Sequence, residues 1–299
     1  MSIEVKNLFK YYGSQAAVKD ISFKVNSGEI VGFLGPNGAG KSTTMKVITG
    51  FISASGGEVK VCGLPVSNDS LETRKRIGYL PENNPLYLDM YVKEYLTFVG
   101  KIYKVENLKE RVAEMIKKVG LEVEQNKKIG QLSKGYRQRV GLAQAIIHDP
   151  DVLILDEPTS GLDPNQLVEI RELIKSIGKE KTVMLSTHIM QEVEAICDRI
   201  VIINKGEIVA DDRTADLQLE GSNLTVYAEF EGAVSKSLLK KIPGVGKIEQ
   251  VKGGWLLESK ENVDLRKAVA KFAQENDILA ITLRTEEKSL EEVFKNLTK

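Results

Sequence analysis

Apolar runs and amphipathic stretches alternate along residues 28–204. Short apolar runs predict buried strands at residues 29–34, 152–155, 182–186 and 199–204. The stretches between them predict helices at residues 42–49, 133–147 and 165–177. Strands that alternate with helices are typical of an α/β fold, so this part of the chain predicts a largely parallel sheet.

A helical region interrupts this alternation. Residues 92–119 place apolar side chains at mixed three- and four-residue spacing, which is typical of amphipathic helices. Ser133 is a suitable N-cap for the helix that follows. We therefore predict a helical subdomain, inserted at about residues 84–150, within a domain that spans residues 1–215.

The order of elements changes in the last part of the chain. A polar stretch at residues 216–222 predicts a linker. Residues 223–299 then predict the order β-α-β-β-α-β, which is typical of a small α+β ferredoxin-like domain. Its last helix is predicted to begin at Ser289, with Glu292 in the capping-box position. This domain shows no catalytic pattern, so a regulatory or dimer-contact role and a purely stabilising role stay open.

Composition narrows the class of protein only slightly. Lys+Arg and Asp+Glu both number 42 in a chain of 299 residues, which gives no support to nucleic-acid binding. Two cysteines, Cys62 and Cys197, are too few for a disulfide framework and indicate a reducing compartment. No secretory signal and no membrane-spanning apolar run are found, so we expect any membrane partner to be a separate chain.

The clearest chemical signal lies between the first predicted strand and helix of the parallel sheet. It fits the phosphate-binding pattern G-x-x-x-x-G-K-[ST] and consists of Gly35, Pro36, Asn37, Gly38, Ala39, Gly40, Lys41, Ser42 and Thr43. Glycines let the loop turn tightly, so that backbone N–H groups and the positive end of the helix face phosphate oxygens. We expect Lys41 to meet the β- and γ-phosphates and the Ser42 hydroxyl to bind Mg²⁺.

Acidic residues mark the end of a second strand. Residues 152–155 lead directly into Asp156 and Glu157, at the edge of the sheet where α/β proteins bind ligands. Two buried carboxylates without a cationic partner would be costly, so we expect a metal or a cationic group there. A phosphate loop alone would fit kinases, GTPases, helicases and transporter ATPases equally well.

A third segment separates these classes. The sequence Leu-Ser-Lys-Gly at residues 132–135 precedes the Asp-Glu strand end by about twenty residues. With this order of motifs, residues 1–215 resemble the nucleotide-binding subunit of an ABC transporter. The tail resembles the extension of exporter-type subunits that pair with separate membrane proteins. Residues 77–83 and 85–87 are similar to the gliding-motility-associated members.

The resemblance implies a Mg²⁺-dependent ATPase and assigns roles to the residues of its nucleotide site. It identifies residues 35–43 as the Walker A motif and residues 152–157 as the Walker B motif. Asp156 is then expected to hold Mg²⁺ through water, and Glu157 to polarise the attacking water. His188 resembles the switch histidine that contacts the γ-phosphate, so Glu157 and His188 are the expected catalytic residues.

The resemblance also assigns roles to further residues. Tyr12 looks like the aromatic residue that stacks on adenine, although a tyrosine beside a glycine also fits ordinary packing. Asp163 resembles the D-loop aspartate. The remaining expected contacts belong to the signature segment, which meets the ATP of a partner copy: Ser133, Lys134, Gly135 and Tyr136.

Two departures from the common family pattern stand out. The usual signature is Leu-Ser-Gly-Gly-Gln, but this chain has Lys134 and Tyr136 at the third and fifth positions. Ser133 and Gly135 are retained, so we expect the segment to function. Glu82 stands where the family usually has a glutamine that touches Mg²⁺ and couples the site to the membrane subunit. A carboxylate can still bind the metal, so we expect Glu82 to be a metal ligand.

The resemblance implies a homodimer in the ATP-bound state and an integral membrane permease as partner. We expect the chain to act as a peripheral subunit at the cytoplasmic face of the inner membrane. The alternative is a soluble ABC-type ATPase switch that binds a partner without transport. A structural module with inactive sites conflicts with the retained Lys41, Asp156 and Glu157.

Overall fold

The chain divides into two compact units. The first unit is Met1–Thr214 with Thr298, and the second unit is Ala215–Leu297 with Lys299. The computed structural model describes residues 1–67, 69–214, 216, 225–232, 234–260, 263–286, 291, 294, 297 and 298. The predicted linker and the predicted helix from Ser289 lie largely outside the described residues. No helix among the described residues is both long and apolar enough to span a bilayer.

The first unit alternates strands and helices. Its strands are β1 (Ile3–Tyr12), β2 (Gln15–Val25), β3 (Ile30–Leu34), β4 (Gly56–Val61), β5 (Leu64–Pro65), β6 (Ile77–Leu80), β7 (Val152–Asp156), β8 (Thr182–Thr187), β9 (Arg199–Asn204) and β10 (Glu207–Arg213). Its helices are α1 (Lys41–Ile48), α2 (Leu71–Lys75), α3 (Val92–Ile102), α4 (Leu108–Lys118), α5 (Lys134–Ile146), α6 (Pro164–Gly178) and α7 (Met190–Ile196).

A six-stranded sheet in the order β10-β9-β3-β8-β7-β6 forms the centre of the first unit. All of its neighbouring strands run parallel except β10, which pairs with β9 in an antiparallel hairpin. Strands β3, β7 and β8 are buried along their whole length, as expected for parallel strands covered on both faces. The predicted parallel sheet is therefore confirmed. Because β3, β7 and β8 are neighbours, their carboxyl ends open onto one edge.

A second, antiparallel sheet packs on the first. Its order is β2-β1-β4-β5, and its apolar side chains share one buried cluster with those of β3 and α1. Alternating apolar and polar residues predict half-buried strands at residues 3–7 and 21–25, with a turn at residues 10–13 between them. Strands β1 and β2 are longer than this prediction, since they continue to a turn at Gly13. Tyr11 and Tyr12 therefore belong to the end of β1 rather than to the turn. Three register shifts between β1 and β2 accommodate this length.

The helical region is formed by α3, α4 and α5. Buried faces of α3 and α4 carry Leu96, Val112 and Met115, each at most 1% exposed. Arg111 of α4 donates to the backbone carbonyls of Ile146 and Ile147 at the end of α5, and this fixes α4 against α5. Together these contacts hold α5, and with it the predicted signature segment, in a defined place.

The second unit has its own core. Its elements are β11 (Thr225–Phe230), α8 (Lys236–Leu239), β12 (Val245–Val251), β13 (Gly254–Ser259), α9 (Arg266–Glu275) and β14 (Ala280–Glu286). The strands form an antiparallel sheet in the order β12-β13-β11-β14. Val226, Leu257 and Val269 are fully buried in a cluster shared by the strands and helices of this unit. The second unit therefore buries apolar surface without help from the first.

Candidate functional site

The predicted phosphate loop connects β3 to α1 at the edge where the parallel strands end. A side chain at Gly35 would collide with the carbonyl of Ile203 on the neighbouring strand. Gly40 has φ of 110°, and a Cβ there would lie 2.6 Å from the carbonyl oxygen of Ala17. Both positions therefore require glycine, and the loop stays close to the sheet with its backbone turned toward the start of α1.

Lys41 is the cation at the centre of this loop. Its side chain is 7% exposed, and Nζ donates to the carbonyl oxygens of Gly35 at 2.7 Å and Pro36 at 3.3 Å. Nζ also lies 4.0 Å from Oε1 of Glu157. Burial lowers the pKa of the ammonium, against the raising effect of the nearby carboxylates. The ammonium is thus held at the loop by neutral and charged oxygens together.

Asp156 joins the loop to the neighbouring strands. Oδ1 of Asp156 accepts a hydrogen bond from Oγ of Ser42 at 3.0 Å and from Oγ of Ser186 at 2.6 Å. Asp156 is 1% exposed and Ser186 is fully buried. Two of the three residues predicted to hold a metal, Ser42 and Asp156, are therefore in direct contact.

The buried side chain of Glu157, 9% exposed, pairs with the half-exposed side chain of His188, 51% exposed, at the ends of β7 and β8. Nδ1 of His188 lies 2.9 Å from Oε2 and 3.1 Å from Oε1 of Glu157. Glu157 has φ of 50°, and its backbone N–H is held by Oγ of Ser186 at 3.0 Å. Burial raises the pKa of the Glu157 carboxyl, although His188 acts in the opposite direction. A non-glycine residue in this left-handed conformation at a site is a feature of functional positions.

The turn that carries His188 has its own support. The Thr187 hydroxyl donates to Oε2 of Glu192 at 2.7 Å and accepts from the backbone N–H of Ile189 at 3.1 Å. Glu192 is 1% exposed. These hydrogen bonds involve the residues immediately before and after His188, so they stabilise the backbone of the turn that carries it.

A cavity of about 680 Å³ opens beside the loop. Glu157 and Glu82 reach it from the sheet edge, and Lys205 from the β9–β10 turn. The other lining residues come from β2, the loop and α1: Gln15, Ala16, Ala17, Lys19, Asn37, Gly38, Gly40, Lys41, Ser42 and Thr43. Tyr12 is not among these lining residues; it is 50% exposed and pairs across the hairpin with Gln15, which does line the cavity.

The donor set of the site suits a hard divalent cation. No group of three or more His, Cys, Asp or Glu side chains arranged to hold a metal occurs in the part of the chain that the structure describes. Mg²⁺ commonly keeps several waters and binds through one or two carboxylates together with substrate phosphates. The hydroxyl of Ser42 and the carboxylate of Asp156 supply that kind of oxygen ligand. Glu82 lines the same cavity and is exposed.

A second cavity of about 700 Å³ lies on the other side of Glu82, which lines both cavities. Asp156, Tyr79 and His148 also line the second cavity. The hydroxyl of Tyr79 and Nδ1 of His148 are buried and have no hydrogen-bond partner among the described residues. The segment around Glu82 therefore separates the predicted nucleotide cavity from a second space with unsatisfied polar groups.

The predicted signature segment lies away from the nucleotide cavity of its own chain. Ser133 is the N-cap of α5, and Oγ accepts from the backbone N–H of Tyr136 at 3.3 Å. Tyr136 is 36% exposed. None of Ser133, Lys134, Gly135 and Tyr136 is among the residues that line that cavity. Within one chain, the structure thus does not bring this segment to the phosphate loop.

The signature segment packs instead against the turn that follows Glu157. Lys134 Nζ lies against Gly161, and a Cβ added at Gly135 would lie 2.6 Å from Cδ of Gln166. Asp163 is the N-cap of α6, where Oδ1 accepts from the backbone N–H groups of Asn165 and Gln166 at 3.0 Å each.

Sequence reasoning missed several residues of the site. It included Ser186 in a strand but not in the site, and it did not single out Thr187 or Glu192. A polar residue at the end of an otherwise apolar strand, next to the predicted His188, was the available signal. Lys19 and Lys205 line the cavity from hairpins that are distant in sequence from the loop, so no motif marks them.

Comparison with known proteins identifies the family. The model of the ABC transporter family matches residues 18–160. The chain is 41% identical over 236 residues to an uncharacterized ABC transporter ATP-binding protein, YxlF of Bacillus subtilis, covering 77% of this chain and 78% of that protein. It is 33% identical to the linearmycin resistance ATP-binding protein LnrL of the same organism, covering 99% of this chain and 98% of that protein. The chain therefore belongs to the ABC transporter ATP-binding proteins, a family of ATPases.

Other similar proteins add context. The chain is 38% identical to the Nod factor export ATP-binding protein I of Burkholderia orbicola, covering 70% of each chain. Among solved structures, it is similar to a dimeric, post-hydrolysis ATP-binding cassette, MJ0796, bound to ADP and phosphate. That similarity has a TM-score of 0.65 and 28% identity, and it covers 71% of this chain and 98% of that chain. The fold of the first unit is thus that of an ATP-binding cassette.

Proposed function

We propose that this chain is the ATP-binding and ATP-hydrolysing subunit of an ABC transporter and powers a separate membrane permease. The observation that carries the proposal is that the ends of β3, β7 and β8 meet at the phosphate loop. Ser42 contacts Asp156, and Lys41 and His188 both lie near Glu157. Each contact joins residues distant in sequence, and together they bring an ammonium, a hydroxyl and two carboxylates to one loop, which supports the proposal.

The residues of the loop bind and orient the triphosphate. Residues at the start of α1 line the cavity, where a helix N-terminus suits phosphate, and Lys41 supplies a positive charge there. Mg²⁺ held by Ser42, Asp156 and Glu82 would neutralise charge on the β- and γ-phosphates. Tyr12, which pairs with the cavity-lining Gln15, is proposed to stack on the adenine.

Glu157 is proposed to orient and polarise the attacking water. Burial keeps its carboxylate poorly solvated, which makes it a better hydrogen-bond acceptor for a water proton. His188 fixes the direction of that carboxylate through Nδ1 and leaves the rest of the ring for the γ-phosphate. Ser186 and the turn around Thr187 hold both side chains in register.

The site is completed by a second copy of the chain. Its Ser133, Lys134, Gly135 and Tyr136 would meet the γ-phosphate from the opposite side, and Asp163 would lie close to the junction. The exposed position of this segment, away from its own cavity, supports that arrangement. The dimeric state of the similar cassette supports it further.

Coupling to the permease is proposed to pass through the segment around Glu82 and through the helical subdomain. Support comes from the second cavity, because Glu82 lines it together with the nucleotide cavity. The names of the similar resistance and Nod factor export proteins support an exporter. On this proposal the chain sits peripherally at the cytoplasmic face of the inner membrane. Similarity to gliding-motility members stays a prediction.

The second unit is proposed to be a ferredoxin-like accessory domain. Its element order β-α-β-β-α-β and its sheet order β12-β13-β11-β14 support this assignment.

An ATPase and binding experiment tests the central proposal. We expect Glu157→Gln to bind ATP with magnesium normally, to lose hydrolysis, and to accumulate as a dimer in size-exclusion chromatography with ATP. We expect Lys41→Ala to lose nucleotide binding. Glu172→Gln and Lys175→Ala, both on the exposed face of α6, are matched controls that should behave like the parent protein. Hydrolysis by Glu157→Gln at the parent rate would contradict the assignment.

A further inference from the structure

The phosphate end of the nucleotide cavity is rich in carboxylates. Glu82 and Glu157 line it together with Lys41, and Asp156 lies next to it through its hydrogen bond with Ser42, which also lines the cavity. Asp156 is 1% exposed and Glu157 is 8% exposed, so solvent screens these two charges poorly. Glu82 is exposed and faces both the nucleotide cavity and the second cavity.

The sheet explains why Glu82 joins this group. Leu80, the last residue of β6, pairs in parallel with Leu155 of β7, directly before Asp156. Parallel strands end at the same edge, so a residue just beyond β6 lies beside the end of β7. Glu82 and Lys41 both line the nucleotide cavity, and the Glu82 carboxylate acts to raise the pKa of the Lys41 ammonium.

Existing partners neutralise this group incompletely. Lys41 Nζ already donates to the carbonyls of Gly35 and Pro36, and among the described residues it lies within 4.0 Å of one carboxylate, that of Glu157. His188 pairs with the same carboxylate, which leaves Asp156 and Glu82 without a cation at that distance among the described residues. The hydroxyls of Ser42 and Ser186 donate to Asp156 but carry no charge. A triphosphate that arrives without a cation would therefore add negative charge to an end of the cavity that already has an excess.

Two other lysines line the cavity, but they do not affect the preference between free and cation-bound nucleotide. Lys19 and Lys205 reach it from β2 and from the β9–β10 turn. Lys19 is also ion-paired with Glu207 at 3.5 Å. Both lysines attract the phosphates of free and metal-bound nucleotide alike, so discrimination between the two forms has to come from the carboxylate end.

We infer that Glu82 makes the site select the cation-bound triphosphate over the free triphosphate. This inference rests on the proposed function and adds a selectivity role to the proposed metal ligand. The carboxylate repels an uncompensated γ-phosphate, and it becomes an additional oxygen ligand or neighbour when a divalent cation accompanies the nucleotide. Nucleotide binding in this chain is thereby tied to the divalent cation more tightly than a neutral amide at the same position would allow.

Replacement of Glu82 by glutamine removes the charge and retains the shape. One charge a few ångströms from a phosphate, partly screened by solvent, changes an affinity by on the order of tenfold. Glu82→Gln is therefore expected to bind ATP in excess EDTA about tenfold more tightly than the parent protein. Its affinity for ATP with magnesium should stay the same or fall, because an oxygen ligand with full negative charge is lost.

The test is isothermal titration of ATP into the full-length protein, in excess EDTA and in excess magnesium. The measured quantity is the dissociation constant in EDTA divided by the dissociation constant in magnesium, and Glu82→Gln should lower this ratio. Glu82→Asp keeps the charge and should keep the parent ratio to within about threefold, and Glu58→Gln, at an exposed β4 position, should leave it unchanged. A lower ionic strength should widen the difference between parent and Glu82→Gln, since screening decreases.

The outcomes separate the inference from the proposed function. A parent protein that fails to bind ATP even with magnesium would overturn the proposed function itself. A parent protein that binds ATP with magnesium, and whose ratio is unaffected by Glu82→Gln, would overturn only the selectivity role. A ratio that falls equally for Glu82→Asp and Glu82→Gln would show that shape rather than charge matters, and would overturn it as well.

Discussion

Ser186 of β8 bonds to both acidic residues at the end of β7 through a single buried hydroxyl. It donates to Oδ1 of Asp156 at 2.6 Å and accepts from the backbone N–H of Glu157 at 3.0 Å. The substitution Ser186→Ala removes both bonds without adding volume. The Glu157 N–H retains the backbone carbonyl of Ser186 at 3.2 Å, so the main uncompensated loss falls on the Asp156 carboxylate.

The cost of this loss can be worked out from burial and charge. A hydrogen bond to a charged group contributes about 1.5–3 kcal/mol, and the upper part of that range applies where water cannot replace the donor. Asp156 is 1% exposed, but Ser42 continues to donate to the same oxygen at 3.0 Å. We therefore expect the free energy of unfolding of the first unit to fall by about 2 kcal/mol. For a unit of this size, that corresponds to a decrease in Tm of about 4–8 °C.

Differential scanning calorimetry without nucleotide measures this change. The transition that belongs to the first unit is identified as the one that ATP with magnesium shifts upward in the parent protein. Ser176→Ala is the matched control, because Oγ of Ser176 donates to the neutral carbonyl of Leu173 at 2.8 Å. Loss of this hydrogen bond should lower the free energy of unfolding by less than about 1 kcal/mol. A Tm decrease for Ser186→Ala no larger than that of Ser176→Ala would refute the reasoning.

Two further predictions concern the loop and the second unit. Gly40→Ala places a Cβ 2.6 Å from the carbonyl oxygen of Ala17 at a φ of 110°, so a titration should show that nucleotide binding is lost. Gly13→Ala is the control, because Gly13 has open space around it, and this variant should still bind nucleotide. Leu257→Ala empties a fully buried position of the second unit and should lower its free energy of unfolding by about 2–5 kcal/mol. Calorimetry should then show a lower transition for that unit with ATP binding unchanged, and half-buried Leu256→Ala should show a smaller shift. Equal shifts for the two leucine variants would contradict the described core.

Local sequence patterns were sufficient for much of the first unit. The apolar runs at β3, β7 and β8 are short, continuous and bounded by turn residues, so their strand assignment follows from hydrophobicity alone. The phosphate loop could be located because its chemistry depends on consecutive residues. The predicted strand at residues 21–25 proved to be only the end of β2, which begins at Gln15. Its earlier half mixes polar and apolar side chains around register shifts, which hides the two-residue period.

The residues that sequence reasoning missed are joined across strands. Ser186 acts on Asp156 and Glu157, which are about thirty residues earlier in the chain, and only the parallel pairing of β7 with β8 brings them together. The buried pair of Thr187 and Glu192 likewise depends on where α7 begins, and that short helix was not predicted. Spacing within one motif cannot reveal such contacts, because the fold and not the sequence sets their distance.

The close packing of the signature segment on the turn after Glu157 has a mechanical consequence. Lys134 Nζ rests against Gly161, and Gln166 fills the space that a side chain at Gly135 would need. Both contacts are made by the ends of side chains, and they link the start of α5 to this turn. On the proposed function, a second copy that presses on the start of α5 would therefore displace the turn beside Glu157, the residue that is proposed to orient the attacking water.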